Sequence, residues 1–191
     1  DRISPDDVMT IIYTSGTTGT MKGVQLTHRN IISNFKAICP IVPVHAQTRV
    51  LSYLPLCHVY ERMMIYAWQY LGIPIYYAES LGTIVNNINE VHPTIFTTVP
   101  RLLEKVYDKV IATGRKLPKA KKKIFFWADE VASRYEFGEQ SRKYRRQLKY
   151  ARKLVLHKWK EALGGNIEVI VSGGAAIQPR LARIFWAAEM P

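Results

Sequence analysis

Residues 13–24 read YTSGTTGTMKGV: hydroxyl side chains interleaved with Gly16, Gly19 and Gly23, and a single cation, Lys22. The stretch follows an apolar run, VMTIIYT at 8–14, and leads into a helical pattern starting near His28. A strand that delivers glycines and hydroxyls to a helix is a setting for an anion. Glycine lets the main chain turn and bring its N–H groups close, hydroxyls add donors, and lysine supplies a compact positive charge for a terminal phosphate. The common nucleotide loop sets a Gly-Lys pair at a fixed distance from its first glycine. Here Lys22 follows Met21 and precedes Gly23, so that spacing fails. A phosphate is expected, held by a different loop.

Outward from this stretch, short β-rich runs alternate with helical patterns. VMTIIYT (8–14), TRVLSYL (48–54), IPIYYA (73–78), TIFTTV (94–99) and IEVIV (167–171) predict strands. Helices are expected over 28–42, 60–71, 81–91 and 101–114, with Pro100 in a first turn and Gly114 at an end, and a last helix starting at Pro179. Runs apolar on both faces and separated by helices imply an α/β fold: a mostly parallel sheet flanked by helices. The apolar stretch at 63–78 is broken by Gln69, Gly72 and Pro74, and reads as a buried helix followed by a strand rather than a membrane span.

The chain has 191 residues, enough for one domain, and a net charge of +12. Residues 115–160 hold sixteen Lys or Arg against four Asp or Glu, so this segment carries the whole excess. Aliphatic and aromatic residues recur at helical spacing over 124–135 and 144–163, where Leu148, Ala151, Leu154, Val155 and Trp159 trace one face. Helices packed on the domain are expected, not a nucleic-acid arm. Their charged faces suit an anionic membrane, an acidic ligand such as coenzyme A, or plain solvation. Cys39 and Cys57 match no metal spacing and give no disulfide scaffold, so a reduced, cytoplasmic setting is expected.

The YTSGTTGTMKGV stretch is similar to the phosphate loop of the adenylate-forming enzymes, which include acyl-CoA synthetases, luciferases and peptide-synthetase adenylation domains. The match covers 13–19 and 22–24; relatives often have proline where Met21 stands. LPLCHVYER (54–62) resembles the second core motif of long-chain fatty acid–CoA ligases, and EVHPT and TVPRLLEKV (98–106) fit the same group. GGNIEVIVSGGAAI (164–177) resembles the strand and glycine turn that lie against adenine in that family.

The resemblance implies a ligase that joins a fatty carboxylate to ATP, as acyl-adenylate and pyrophosphate, and then passes the acyl group to coenzyme A. Mg²⁺ accompanies ATP. Thr14, Ser15, Gly16, Thr17, Thr18, Gly19, Lys22 and Gly23 would hold the phosphates, and Gly173, Gly174 and Ala175 would form a flat wall against the adenine. Lys22 and His58 are the implied catalytic residues, His58 near the acyl carboxylate; a histidine capping the next helix is the alternative. No metal ligand is assigned within the chain.

Glu61 and Arg62, adjacent at a helix start, face different ways, and salt-bridge roles are expected for them. Arg101 fits coenzyme A phosphates or plain solvation. Tyr66, Trp68, Tyr70, Tyr76 and Tyr77 fit an acyl tunnel or a core. The expected partners are ATP, a long-chain fatty acid and coenzyme A, with peripheral membrane contact through the basic helices as an option and nucleic acid not expected. The expected organisation is part of an adenylation domain across 1–191, with a basic helical insert at about 115–163. The family's further motifs and C-terminal lid would lie beyond this stretch. Another adenylate-forming enzyme and a basic binding module are the competing readings.

Overall fold

The computed structural model describes residues 2–15 and 21–191. Four parallel strands form the central sheet: β3 (Val50–Ser52), β4 (Ile75–Tyr77), β5 (Ile95–Thr98) and β6 (Val169–Ser172), in the order β4-β3-β5-β6. Successive strand residues point to opposite faces, and both faces here are covered. Val50 and Ile95 enter a cluster with α1 (His28–Ile38) and α2 (Val59–Tyr70). Leu51 and Phe96, their neighbours, enter a second cluster with α3 (Ile84–Val91), α4 (Pro100–Arg115), α5 (Lys119–Ser133) and α8 (Pro179–Ala187).

The two-sided cover follows from strand order. The chain steps from β3 outward to β4, then returns past β3 to β5 and continues to β6. Parallel crossovers are right-handed, so the reversal sends α2 to one face and α3 and α4 to the other. The reversal lies between β3 and β5. In open α/β sheets the crevice at the carboxyl ends beside such a reversal is where ligands bind.

The first predicted strand departs from expectation. β1 (Val8–Ser15) does not join the parallel sheet; it pairs antiparallel with β2 (Met21–Thr27) in a separate two-stranded sheet. Residues 21–24, read as loop, are therefore strand. The alternation of Val24 and Leu26 supports it, and the Tyr13 ring covers the bare backbone of Gly23, 3.3 Å from where a Cβ would stand. The hairpin passes into α1 through a capping box: Thr27 Oγ1 accepts from the Asn30 N–H at 3.2 Å, and Asn30 Oδ1 accepts from the Thr27 N–H at 3.0 Å.

The basic segment is helical. α5 buries Phe125, Ala128, Val131 and Ala132. α6 (Arg142–Ala151) runs through a π-helical turn, Arg152–Leu156, into α7 (His157–Ala162). The wider π turn shifts the buried stripe, so Val155, Leu156 and Trp159 are inside while Leu154, expected on that face, is 48% exposed. Gly114 sits one residue before the end of α4, and a Cβ there would meet the Phe125 ring at 2.2 Å. It is glycine so that α4 and α5 can close. A polar link joins the same layer: the Tyr107 hydroxyl donates to Asp129 Oδ1 at 2.9 Å, and Arg180 reaches Asp129 Oδ2 at 3.2 Å. Burial raises the Asp129 carboxyl and pushes the Tyr107 phenol up to about 12. Among the described residues no helix is long and apolar enough to cross a membrane.

Candidate functional site

Polar residues gather where β3, β5 and β6 end. The Tyr53 hydroxyl, just past β3, donates to Thr98 Oγ1 at the end of β5, at 2.7 Å, bridging the topological reversal. The Gly173 N–H, just past β6, donates to the Thr98 carbonyl at 3.1 Å. Ser52 Oγ donates to Glu61 Oε1 at 2.5 Å. Glu61 is 2% exposed, and its second carboxyl oxygen has no partner among the described residues. Burial pushes its carboxyl above the ordinary range, against the Ser52 hydrogen bond that favours the ionised form. Burial raises the Tyr53 and Tyr60 phenols as well.

The glycine turn is shaped by a single aromatic ring. A Cβ on Gly173 would lie 2.2 Å from Tyr60 Cε2, so only glycine leaves room for that ring. The Tyr60 hydroxyl donates to the Val171 carbonyl at 2.8 Å, fixing α2 against β6. Gly174 has φ +80°, a conformation that side chains rarely adopt, and turns the chain away from the sheet. Gly174 and Ala175 are exposed.

His58 occupies the N-cap position of α2, two residues before Tyr60. Its side chain makes no capping hydrogen bond and is exposed, so the cap alternative does not account for it. The turn before it is closed by the His58 N–H donating to the Pro55 carbonyl at 3.0 Å. Arg62 then reaches in two directions: Nε donates to the Leu56 carbonyl at 3.2 Å, and Nη1 donates to Thr10 Oγ1 on β1 at 2.7 Å. The salt bridges expected for Glu61 and Arg62 are therefore corrected. Glu61 is buried against a serine, and Arg62 fastens the hairpin to the turn carrying His58.

On the hairpin, Thr14 and Lys22 are directly opposed, with Ser15 opposite Met21. Residues directly opposite project to the same face, which places a hydroxyl and an ammonium side by side at the hairpin's end; both are exposed. Gly16, Thr17, Thr18 and Gly19 lie outside the described residues. Among the described residues, no group of three or more His, Cys, Asp or Glu side chains converges. No ligand for a divalent ion is assigned among the described residues, and no step is routed through one.

The aromatic set does not converge either. Trp68 is 2% exposed in the core, whereas Tyr70, Tyr76 and Tyr77 are exposed and Tyr70 packs beside Phe35. Arg101 is exposed on the first turn of α4. The excess charge lines a groove of about 750 Å³ along α6, the π turn and α7, formed by Arg145, Lys149, Arg152, Lys153, His157 and Lys160 among others. Tyr53, Tyr60, Glu61 and Thr98 were not singled out as site residues by sequence reasoning. Their only signal was position, inside or beside 54–62 and at a strand's carboxyl end.

The fold is a parallel α/β sheet with a glycine turn just past β6 and a separate hairpin in which Thr14 opposes Lys22. The chain belongs to the AMP-binding enzyme family, whose pattern matches residues 1–190. It is 36% identical over 177 residues to long chain acyl-CoA synthetase 7, peroxisomal, of Arabidopsis thaliana, covering 92% of this chain and 24% of that protein. It is 34% identical over 190 residues to long-chain-fatty-acid–CoA ligase 5 of Rattus norvegicus, covering 97% of this chain and 27% of that protein. The chain thus spans about a quarter of the length of these relatives. In fold it resembles the A-PCP didomain of carboxylic acid reductase from Segniliparus rugosus, solved in complex with AMP. The TM-score is 0.64 at 23% identity, over 97% of this chain and 23% of that one.

Proposed function

We propose that the protein carrying this chain activates a long-chain fatty acid with ATP and transfers the acyl group to coenzyme A. The observation that carries this reading is the pairing of Thr14 with Lys22 at the end of a hairpin in a chain whose relatives are long-chain acyl-CoA ligases. In the first half-reaction a carboxylate oxygen attacks the α-phosphorus of ATP. The bond to the β-phosphate oxygen breaks, and pyrophosphate departs with the electron pair. In the second, the coenzyme A sulfur attacks the acyl carbon, AMP departs, and the thiol proton passes to a base. The protein's share is positioning and charge stabilisation.

Lys22 supplies positive charge to the departing pyrophosphate, with the Thr14, Ser15, Thr17 and Thr18 hydroxyls as further donors. Gly16 and Gly19 admit the phosphates close to the main chain, whereas the Tyr13 ring fills the space at Gly23, which serves the hairpin instead. Gly173, Gly174 and Ala175 present backbone to the adenine, with Tyr60 behind them. His58, free of a capping role, donates a hydrogen bond to the reacting carboxylate or phosphate. The chain then forms part of the adenylation domain, with residues 115–163 as a basic helical insert.

The test is carboxylate-dependent ATP–pyrophosphate exchange by the full-length protein, across acids from acetate to oleate. Exchange should peak with long chains and fall by about 10²–10³-fold in Lys22→Ala, the scale of losing one transition-state donor. Exchange that ignores chain length would assign a different carboxylate. Exchange undiminished by Lys22→Ala would remove the hairpin from the site.

A further inference from the structure

The chain crosses from β6 to α8 through residues 174–177. Among the described residues, no main-chain N–H or carbonyl of this crossing is hydrogen-bonded to another main-chain group. Gly174, Ala175 and Ala176 are exposed. A segment with so few bonds of its own takes its position from what holds its two ends. The near end is fixed by the Gly173 N–H on the Thr98 carbonyl, with the Tyr60 ring behind it.

The far end is built from side chains. Ile177 packs on the core, and Gln178 Nε2 donates to Glu104 Oε1 on α4 at 3.2 Å. Arg180, the second residue of α8, reaches α4 and α5 together. Its Nη2 donates to the Tyr107 hydroxyl at 2.9 Å and to Asp129 Oδ2 at 3.2 Å. The guanidinium carbon also stands 5.4 Å from the centroid of the Tyr107 ring. The Tyr107 hydroxyl in turn donates to Asp129 Oδ1, so the three side chains close a triangle.

Exposed ion pairs contribute little, but this one has a buried end. The Asp129 side chain is 10% exposed, against 57% for that of Arg180. Of the four carboxylates in residues 115–160, Asp129 is the buried one; Glu130, Glu136 and Glu139 are exposed. A buried charge depends on its partner, and loss of that partner is strongly felt. The carboxylate thus holds Arg180, and with it the start of α8, in one place.

We propose that Arg180 is a positioning residue for nucleotide binding, and that the basic segment, through Asp129, holds the far end of the turn that faces adenine. The inference rests on the reading of residues 173–175 as the adenine wall. The base is the same in the ground state and the transition state, so a misplaced wall weakens both alike. KM for ATP then rises while kcat stays. A merely structural loss would instead shrink the active fraction, lowering kcat at unchanged KM.

The test is ATP–pyrophosphate exchange by the full-length protein, with ATP and pyrophosphate varied in turn and thermal melts alongside. Arg180→Ala should raise KM for ATP about tenfold, the scale of one hydrogen bond to a charged group, with kcat and the KM for pyrophosphate unchanged. Arg180→Lys keeps the cation and should recover part of the affinity. Adding Asp129→Asn to Arg180→Ala removes the unpaired buried charge, so melting should return toward that of the parent while KM for ATP stays raised. An unaltered KM, a fall in kcat alone, or a KM that recovers with stability in the double variant would overturn the proposal. Ala175→Leu enlarges the wall itself and separates the two readings. If it leaves KM for ATP unchanged, the wall reading fails and the inference with it; if it raises that KM and Arg180→Ala does not, the inference fails alone.

Discussion

Gly173→Ala places a methyl group where the Tyr60 ring stands, 2.2 Å from Cε2 and 2.5 Å from Cζ. The backbone itself tolerates alanine, because Gly173 is outside the left-handed region that Gly174 occupies. The cost is therefore one of contact. Forcing a methyl into a filled site costs about 1–3 kcal/mol. Displacing the ring also breaks its hydrogen bond to the Val171 carbonyl, worth about 0.5–1.5 kcal/mol. A loss of about 2–4 kcal/mol lowers Tm by about 5–15 °C in a domain of this size. Differential scanning calorimetry of the full-length protein reads the shift, and pyrophosphate exchange reads the displaced turn. In a Tyr60→Leu background the added methyl has room, so the two substitutions should be non-additive by about 1–3 kcal/mol. Unchanged melting and exchange, or strict additivity, would refute the assignment of Tyr60 as the support of the glycine turn.

Two further outcomes follow from buried groups. The folded-state carboxyl of Glu61 lies above its ordinary value of 4.5, so the folded chain keeps a proton that the unfolded chain releases. The stability this supplies is full below that ordinary value and is lost as pH rises through the folded value. Glu61→Gln should therefore flatten the decline and be the more stable form at neutral pH; denaturation midpoints from about pH 4 to 8 check it, and an unaltered slope would contradict it. For Gly114→Ala, helix propensity favours alanine by about 1 kcal/mol, but the Phe125 ring at 2.2 Å opposes it by about 1–3 kcal/mol. Net destabilisation of about 1 kcal/mol is expected in thermal melts, changing sign in a Phe125→Leu background.

The parallel sheet was legible because its strands are apolar on both faces: Val50 and Leu51, or Ile95 and Phe96, enter opposite clusters. The helix starts were legible from local chemistry, Thr27 before His28 and the prolines at 100 and 179. The hairpin was not. Met21 to Val24 carry glycine and lysine, which read as loop, and their pairing with 12–15 is not marked in the composition of either segment. Leu154 was misplaced because periodicity assumes an uninterrupted α-helix, and a π turn leaves no compositional mark. Of the proposed site, Lys22, His58 and the glycine turn stand out in the sequence as residue types in a recognisable order. The roles of Glu61, Arg62 and Tyr60 needed partners from distant segments: Ser52, Thr10 and Gly173.

Arg62 bonds to Thr10 with one nitrogen and to Leu56 with another. The hairpin bearing Lys22 and the turn bearing His58 thus share a tether one side chain long. That link bypasses the sheet: two segments far apart in the chain meet through one guanidinium.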